Sequence, residues 1–348
     1  MAERAAHPDG GLGSLMATLR TGLPGGAIGL PLLLVALVAG FSLFVPQFAT
    51  IGTLQSFMYQ IPMLGLLSLA MVVPLLSGGL NLAIIATANQ SALLMAWIMT
   101  ATMPAEPGGA TVALVIVGAL LAGLALCVVI GLLTGAFVAY TGVHPILVTL
   151  GTKSLLDGIS IYLTRGTVIS GIPPIYAEIG NMTFLGLPAT FIVFALAAFV
   201  LAVLLQRTPF GITVVMAGSN IEATRYSAID TRRTLIGVYL VSSILCFVAS
   251  TVMLATFNSA SAGYAQSFLL VTILAAVLGG VDPFGGFGKV SGLLVALAIL
   301  QVISSGFNQL GLSNHLTVAI WGLVLIAVMA VQTLRASGFF SFGGSGKA

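Results

Sequence analysis

Long apolar runs, separated by short polar segments, repeat from one end of the sequence to the other. A run of roughly 18 or more apolar residues is long enough to cross a bilayer as a helix. The pattern therefore predicts an all-α, polytopic membrane protein with about ten transmembrane helices. The predicted spans cover residues 28–45, 54–75, 80–101, 111–139, 145–163, 188–206, 234–257, 266–281, 290–306 and 315–334. They form one transmembrane domain, 28–334, between an N-terminal tail, 1–27, and a C-terminal tail, 335–348.

The positions of Lys and Arg beside these spans predict the orientation, because positively charged residues are enriched on the cytoplasmic side. If the N-terminus is cytoplasmic, only Arg165 falls outside, and Lys153 falls within a span. The other basic residues then lie inside: Arg4, Arg20, Arg207, Arg225, Arg232, Arg233, Lys289, Arg335 and Lys347. We therefore expect an even number of spans, with both termini in the cytoplasm.

Composition supports the membrane assignment. The chain of 348 residues is 59% hydrophobic and only 5% charged, too few charged residues to cover the surface of a soluble domain. The net charge of +3 comes from basic residues scattered singly, so we expect no nucleic-acid partner. Cys127 and Cys246 lie inside apolar runs and indicate buried hydrophobic positions, with neither disulfide nor metal spacing.

Residues for catalysis or cofactor binding are not grouped in the sequence. His7 lies in the polar tail, while His144 and His315 lie at the edges of spans, away from either Cys. We therefore predict no enzyme activity, no metal site and no cofactor. The run Gly285–Val290 looks like a phosphate-binding loop, but Pro283 and Val290 occupy positions that require Gly and Ser or Thr.

Two patterns within the spans concern helix packing. Pro62 and Pro74 lie in the second span, which runs into Gly78-Gly79, and this indicates either a broken helix beside a substrate path or a packing kink. Gly131 and Gly135 have the spacing that lets two helices approach closely, and we expect them to serve packing.

The longest predicted cytoplasmic connection covers about residues 207–233. Ser219 and Glu222 have the spacing of a capping box, which predicts that a short helix begins there. Small side chains at Ala223, Ser227 and Ala228 are expected to keep one face of this helix shallow. Such a face can dock into a groove of a partner protein, or the helix can simply lie on the membrane.

Four stretches of the chain, taken together, resemble the ribose-type permeases of ABC importers. The cytoplasmic stretch Gly218-Ser-Asn-x-Glu-Ala-Thr-Arg-x-Ser-Ala-Ile resembles their coupling segment. The other matching stretches are Leu76-Ser-Gly-Gly-Leu-Asn-Leu82, Val148-Thr-Leu-Gly-Thr152 with Leu155, and Val277-Leu-Gly-Gly-Val through Gly285-Gly-Phe-Gly-Lys289. The chain departs from the family pattern at three positions. The family often has an acid where this chain has Asn81, a Ser where it has Ala83, and usually a Gly where it has Ala228. Lys153 and Asp157 replace residues that are normally neutral or Arg.

The resemblance implies a fold similar to the vitamin-B12 importer type, in the inner (plasma) membrane of a bacterium. It implies two permease subunits, identical or paralogous, two ATP-binding ABC subunits and an extracytoplasmic (periplasmic) substrate-binding protein. The implied solute is a sugar, polyol or related small polar molecule, and segment 207–233 implies the contact with the ATPase. The implied coupling residues are Gly218, Ser219, Asn220, Glu222, Ala223, Arg225 and Ser227.

Polar side chains inside the spans are candidates for a translocation path, because they are costly in lipid. Lys153 and Asp157 are four residues apart on one helix face, so they either neutralise each other or line the path. The uncharged candidates, which can serve hydroxyl groups or bond between helices, are Gln55, Gln60, Asn81, Asn89 and Gln90. An ion-coupled secondary transporter that uses Lys153 and Asp157 is the alternative function.

Overall fold

The computed structural model describes residues 29–45, 48–104, 108–184, 186–313, 316–323 and 326, and most of these residues are helical. The helices are α1 (Gly29–Phe44), α2 (Ile51–Leu76), α3 (Ile84–Ala101), α4 (Gly109–Thr141), α5 (Pro145–Thr164), α6 (Pro174–Asn181), α7 (Ala189–Arg207), α8 (Pro209–Ser219), α9 (Ile221–Tyr226), α10 (Thr231–Phe257), α11 (Phe268–Leu278) and α12 (Val290–Gln309). Residues 316–323 and 326 are also helical. The predicted all-α class is therefore confirmed.

The strands within these ranges are very short. Strand β1 (Ile169–Ser170) pairs antiparallel with β4 (Ser259–Ala260), and β2 (Thr183–Phe184) pairs antiparallel with β3 (Leu187–Pro188). The first pair ties the connection after α5 to the connection after α10.

Seven of the described helices are long and apolar enough to cross a membrane: α2, α3, α4, α5, α7, α10 and α12. Helix α11 has 11 residues. At 1.5 Å per residue it covers about 17 Å, roughly half of the thickness of the hydrocarbon core. The residues on either side of it are not helical. The predicted span 266–281 is therefore not a full-length helix. The predicted span 315–334 lies partly outside the described residues, and both predicted tails lie outside them.

Helix α2 lies at the centre of the hydrophobic core, and every residue from Pro62 to Leu76 is buried. It contacts α7 closely where Gly65 faces the ring of Phe194. Helix α2 is continuous across both Pro62 and Pro74, so of the two alternatives for this span the broken helix is not observed. The helix ends only after Leu76, beyond both prolines.

The turn between α2 and α3 is longer than predicted. Gly78 has a φ of +79°, a left-handed conformation that favours glycine. Asn81 lies in this turn, where its Oδ1 accepts a hydrogen bond of 3.1 Å from the N–H of Ala83. Helix α3 begins only at Ile84, so the placement of Asn81 within a span is wrong.

The Gly131 and Gly135 pair packs α4 against α10. A Cβ atom on Gly131 would lie 3.0 Å from the Cα of Leu240, and one on Gly135 would lie 2.8 Å from the Cα of Ile236. The two backbones therefore approach as closely as the spacing predicts, and the expected packing role is confirmed.

The ends of the long helices meet at two ends of the bundle. Helices α2 and α12 are antiparallel, because Gln309 donates a hydrogen bond to Thr53 and Gln301 donates one to Gln60. The C-termini of α2 and α8 and the connection before α12 meet at one end, here called the Gly218 end. The helix termini and connections at this end carry Arg207, Arg225, Arg232, Arg233 and Lys289, whereas Arg165 follows α5 at the opposite end.

Candidate functional site

The connection between α7 and α10 consists of two short helices, α8 and α9, that meet at Asn220. Asn220 has extended backbone, and its Oδ1 accepts a hydrogen bond of 2.9 Å from the N–H of Ala223. The first N–H groups of a helix have no partner within the helix, and an Asn side chain at the N-cap provides one. The carbonyl oxygen of Asn220 also accepts a 2.8 Å hydrogen bond from the Oγ1 of Thr224, which is buried. A short capped helix therefore begins within this segment, as predicted.

The predicted capping box of Ser219 and Glu222 is wrong. Ser219 is the last residue of α8, and its Oγ donates a hydrogen bond of 3.0 Å to the carbonyl oxygen of Val215. Glu222 instead lies 3.8 Å from the guanidinium of Arg225 in an exposed ion pair. Two polar residues stand side by side in the sequence, and the backbone is extended only at the second, so Asn220 takes the capping role.

Helix α9 exposes most of its surface. The predicted contact residues Glu222, Ala223, Arg225 and Ser227 are all exposed. Tyr226 is 90% exposed, and sequence reasoning missed it. An aromatic residue inside an otherwise polar, small-residue segment was the available signal, because large exposed aromatic side chains are typical of protein contacts.

Gly218 joins this segment to the rest of the bundle. A Cβ atom on Gly218 would lie 2.0 Å from the carbonyl oxygen of Leu76 and 2.7 Å from the backbone nitrogen of Gly286. The nitrogen of Gly286 itself donates a hydrogen bond of 3.0 Å to the oxygen of Leu76. A Cβ atom on Gly285 would lie 2.6 Å from the nitrogen of Gly78 and 2.9 Å from the oxygen of Gly218. These contacts leave no room for a side chain between three backbone segments. We call the five residues involved the glycine junction: Leu76, Gly78, Gly218, Gly285 and Gly286.

Ala228 follows the end of α9 in a left-handed conformation, with a φ of +60°, so its predicted place on a face of this helix is wrong. This conformation costs an L-amino acid roughly 1–2 kcal/mol and costs glycine little. Ribose-type permeases usually have Gly at this position. The Ala of this chain therefore carries backbone strain that a Gly would not.

Two of the candidate amides bond within the protein. Asn81 is buried, and its Nδ2 donates a hydrogen bond of 3.0 Å to the Oγ of Ser242 in α10. Asn89 is buried in α3, and its Nδ2 donates to the carbonyl oxygens of Ala262 and Tyr264, each at 2.9 Å. Both side chains therefore hold segments of the fold together.

Gln90 lines a cavity of about 520 Å³ between α3 and α5. The Oγ of Ser160 donates a hydrogen bond to its Oε1. Trp97, Thr164 and Thr167 also line this cavity.

Gln60 lines a second cavity, of about 450 Å³, here called the Gln301 cavity. Gln301 of α12 donates through its Nε2 to Gln60 Oε1 at 2.9 Å and to Ser305 Oγ at 3.0 Å. Ser304 and Asn308 line the same cavity from α12. The lining is completed by Tyr59, Met63, Leu64, Thr256, Phe257, Ser267, Phe268, Leu300, Thr317, Val318 and Trp321. Sequence reasoning missed the α12 residues, although their i, i+3 and i+7 spacing places them on one helix face.

Lys153 and Asp157 meet on α5 as their spacing predicts, with 3.2 Å between Nζ and Oδ2. Each side chain remains about a quarter exposed (26% and 24%). Gln55, in the first turns of α2, is exposed and does not line either cavity above.

Helix α5 has an unusually open surface for a helix inside a bundle. Only Thr149, Leu156 and Ser160 are buried along its 20 residues. Gly151 and Gly158 have no neighbouring atom within 4 Å of a Cβ position. Large apolar side chains, including Leu155 at 62% and Tyr162 at 81% exposure, cover the rest of this face.

Among the residues that the structure describes, no group of three or more His, Cys, Asp or Glu side chains can hold a metal ion. The ion pairs in these same ranges, Lys153–Asp157, Arg225–Glu222 and Arg233–Asp230, join side chains three or four residues apart.

Comparison with known proteins decides which family this arrangement belongs to. The family model described as "Branched-chain amino acid transport system / permease component" matches residues 53–329, about four fifths of the chain. The chain belongs to this permease family. The match includes the glycine junction, both cavities and α9, and the resemblance to the permeases of ABC importers is confirmed.

Curated proteins to which the chain is similar include autoinducer 2 import system permease proteins named LsrD. The protein of Photorhabdus temperata is 31% identical over 210 residues, which are 59% of this chain and 63% of that protein. That of Yersinia enterocolitica is 32% identical over 216 residues, 60% of this chain and 64% of the relative. That of Salmonella typhi is 32% identical over 222 residues, which are 62% of this chain and 67% of the relative. The match thus spans a little under two thirds of the length of the first two relatives. No solved structure matches this permease.

Proposed function

We propose that this permease is the membrane-spanning subunit of a binding-protein-dependent ABC importer for a small polar solute. The names of its relatives refer to import of autoinducer 2, and the resemblance to ribose-type permeases favours a sugar, a polyol or a related molecule. ATP is hydrolysed by separate subunits, and this chain forms the path and receives the conformational change.

The glycine junction is the observation that carries this proposal. It places Gly218, beside the exposed α9, in direct backbone contact with the end of α2 and with the connection before α12. A backbone contact without intervening side chains has no flexible element that can absorb a displacement. A push on α9 therefore moves α2 and α12, the two helices that bear Gln60 and Gln301.

Helix α9 is the proposed contact with the ATP-binding subunits. Its accessible side chains include those at Glu222, Ala223, Arg225 and Tyr226, and the exposed Ser227 caps its C-terminal end. The small side chain at Ala223 leaves a shallow face beside Tyr226, which offers an exposed aromatic ring for a pocket of the partner. Gly218, Ser219 and Asn220 hold α9 in place from behind.

The open face of α5 is the proposed contact with the second permease subunit, identical or paralogous. A partly exposed ion pair in a transmembrane helix is costly in lipid. Cover by a second subunit, or by a water-filled path between two subunits, removes this cost. Lys153 and Asp157 then lie where the two subunits meet, with Gln90 on the neighbouring cavity.

The proposed topology has about ten spans and both termini in the cytoplasm of a bacterium, with the Gly218 end inside. The basic connections at this end favour that orientation. Residues 1–27 and 335–348 are the proposed cytoplasmic tails of the 28–334 permease domain, and 207–233 is its coupling segment. The connection at 164–187, which carries Arg165 and Glu178, then faces the extracytoplasmic substrate-binding protein.

Co-purification tests the proposal. The tagged chain is expressed with its neighbouring genes, solubilised in mild detergent, and assayed for a bound subunit that hydrolyses ATP. We expect such a subunit with the wild type, and its release by Ala223→Arg, because a large cation fills the shallow face. The control variant is Gly118→Ala in α4, which is expected to retain the subunit, since nothing lies within 4 Å of a Cβ atom at that position.

The alternative, an ion-coupled transporter that uses Lys153 and Asp157, gives a different outcome in the same preparation. The chain then purifies without an ATPase and moves solute in liposomes under an ion gradient.

A further inference from the structure

The Gln301 cavity lies in the half of the bundle that is remote from the glycine junction. Gln60 is 16 residues before Leu76 along α2, about 24 Å at 1.5 Å per residue. The other walls come from the C-terminal end of α10, the start of α11, the C-terminal half of α12 and the helical residues 316–323. In the proposed orientation this half faces the extracytoplasmic side, where a binding protein delivers solute.

The two glutamines present complementary groups to this cavity. Gln301 uses its amide nitrogen to donate to Gln60 and Ser305, so its Oε1 remains an acceptor with no partner among the described residues. Gln60 accepts through Oε1, so its amide nitrogen remains a donor with no described partner. One free donor beside one free acceptor matches a hydroxyl group, which both donates and accepts.

The rest of the lining extends this match to a molecule with several hydroxyl groups. Ser304 and Asn308 add a hydroxyl and an amide one turn apart on α12, and neither side chain has a hydrogen-bond partner within the described ranges. Tyr59, Phe257 and Trp321 add aromatic surface, which packs against the carbon-bound faces of such molecules. The volume, about 450 Å³, lies within the roughly 300–1,000 Å³ of small-molecule sites.

Charge decides between two classes of solute. The lining contains no Asp, Glu, Lys, Arg or His. A zwitterionic amino acid must give up water around its ammonium and carboxylate groups to enter, and no charged side chain of this lining replaces that water. A neutral polyhydroxylated molecule meets no such penalty.

We propose that the Gln301 cavity is a binding site for a neutral, polyhydroxylated solute within a single permease subunit, and that it excludes free amino acids. The inference rests on the proposed function as a permease and adds the location and the selectivity of the site. Gln60, Gln301, Ser304 and Asn308 provide the polar contacts.

Thiol accessibility in the purified full-length protein tests the site. Ser304→Cys lines the cavity, and Ser305→Cys is its matched control, because Ser305 is the adjacent residue of the same type and is buried. The native Cys127 and Cys246 are both buried, which keeps the background low. A charged methanethiosulfonate reagent is expected to modify Ser304→Cys at least about tenfold faster than Ser305→Cys, because a close-packed interior excludes the reagent. Equal rates overturn the proposal.

Protection by added solute tests the selectivity. D-ribose is expected to slow modification of Ser304→Cys about twofold when half of the sites are occupied, and L-leucine at the same concentration is expected to have no effect. Asn308→Leu should remove the protection by D-ribose, whereas Gln309→Leu, outside the lining, should retain it. Equal protection by L-leucine, or no protection by D-ribose, overturns the proposal.

The same preparation separates this inference from the proposed function. Failure of protection while an ATPase subunit co-purifies refutes the solute site alone. Protection by D-ribose without any co-purifying ATPase refutes the importer assignment and leaves the site standing.

Discussion

Gly218→Ala tests the glycine junction with the smallest possible change. The added Cβ atom would lie 2.0 Å from the oxygen of Leu76, about 1.4 Å short of the 3.4 Å at which ordinary contact begins. Both nearest atoms, this oxygen and the nitrogen of Gly286, belong to backbone, so no side-chain rotation relieves the clash. The end of α8 must therefore move away from α2.

The expected cost follows from two contributions. Overpacking of a tight contact costs about 1–3 kcal/mol, and disruption of the Gly286–Leu76 hydrogen bond adds about 0.5–1.5 kcal/mol. Replacement of Gly by Ala in a helix returns roughly 0.5–1 kcal/mol. We therefore expect a net destabilisation of about 0.5–4 kcal/mol, together with loss of ATP-coupled uptake beyond what the stability change explains.

A fluorogenic thiol dye measures this unfolding directly, because Cys127 and Cys246 are buried and react only when the bundle opens. Gly118→Ala is the matched control, since that glycine is also helical and has open space around its Cβ position. The midpoint of Gly218→Ala should fall by several degrees, and that of Gly118→Ala should stay level or rise. Equal midpoints for the two variants would refute the close backbone contact.

Three further changes test other parts of the account. Ala228→Gly should stabilise the protein by about 1 kcal/mol in the same thermal assay, because glycine removes the strain of a φ of +60°; a lower midpoint would contradict this. Gly131→Leu should prevent α4 from packing on α10 and abolish the folded fraction in size-exclusion chromatography, and a monodisperse peak would contradict it. Asp157→Leu should lower the yield of folded protein by leaving a charge unpaired in the membrane, and adding Lys153→Met should restore it. Failure of the double variant to recover would show that the pair does more than neutralise itself.

The spans were predictable wherever a helix is long, apolar and ended by polar residues. Helix α5 begins at Pro145 as predicted, because proline is favoured in the first turn of a helix. It ends at Thr164, one residue beyond the prediction, because Arg165 has a left-handed conformation. The run at 266–281 is more apolar than α5, yet only Phe268–Leu278 is helical. Hydrophobicity predicts burial in a membrane, and it does not distinguish a helix that crosses the bilayer from a short one packed between others.

The candidate site was predicted only in part, because its contacts join residues remote in sequence. Gln60 was identified as a polar residue in a span, but its partner Gln301 lies 241 residues later, and no local pattern links them. The glycine-rich run at 285–288 lacks the residues that a phosphate-binding loop requires, but its contact with Gly218 depends on the tertiary fold. The spacing from Glu222 favours Ser219 as the cap, whereas the extended backbone that makes Asn220 the cap cannot be predicted from that spacing.

The most direct test of the central claim is photo-crosslinking from α9 in intact cells. A photoreactive phenylalanine analogue replaces Tyr226, which is 90% exposed at the Gly218 end, or Leu121, which is 61% exposed on the long apolar helix α4. The account predicts that position 226 forms an adduct with an ATP-binding subunit and that position 121 does not. An adduct from neither position, or equal adducts from both, would contradict the assignment of α9 as the contact through which ATP hydrolysis drives transport.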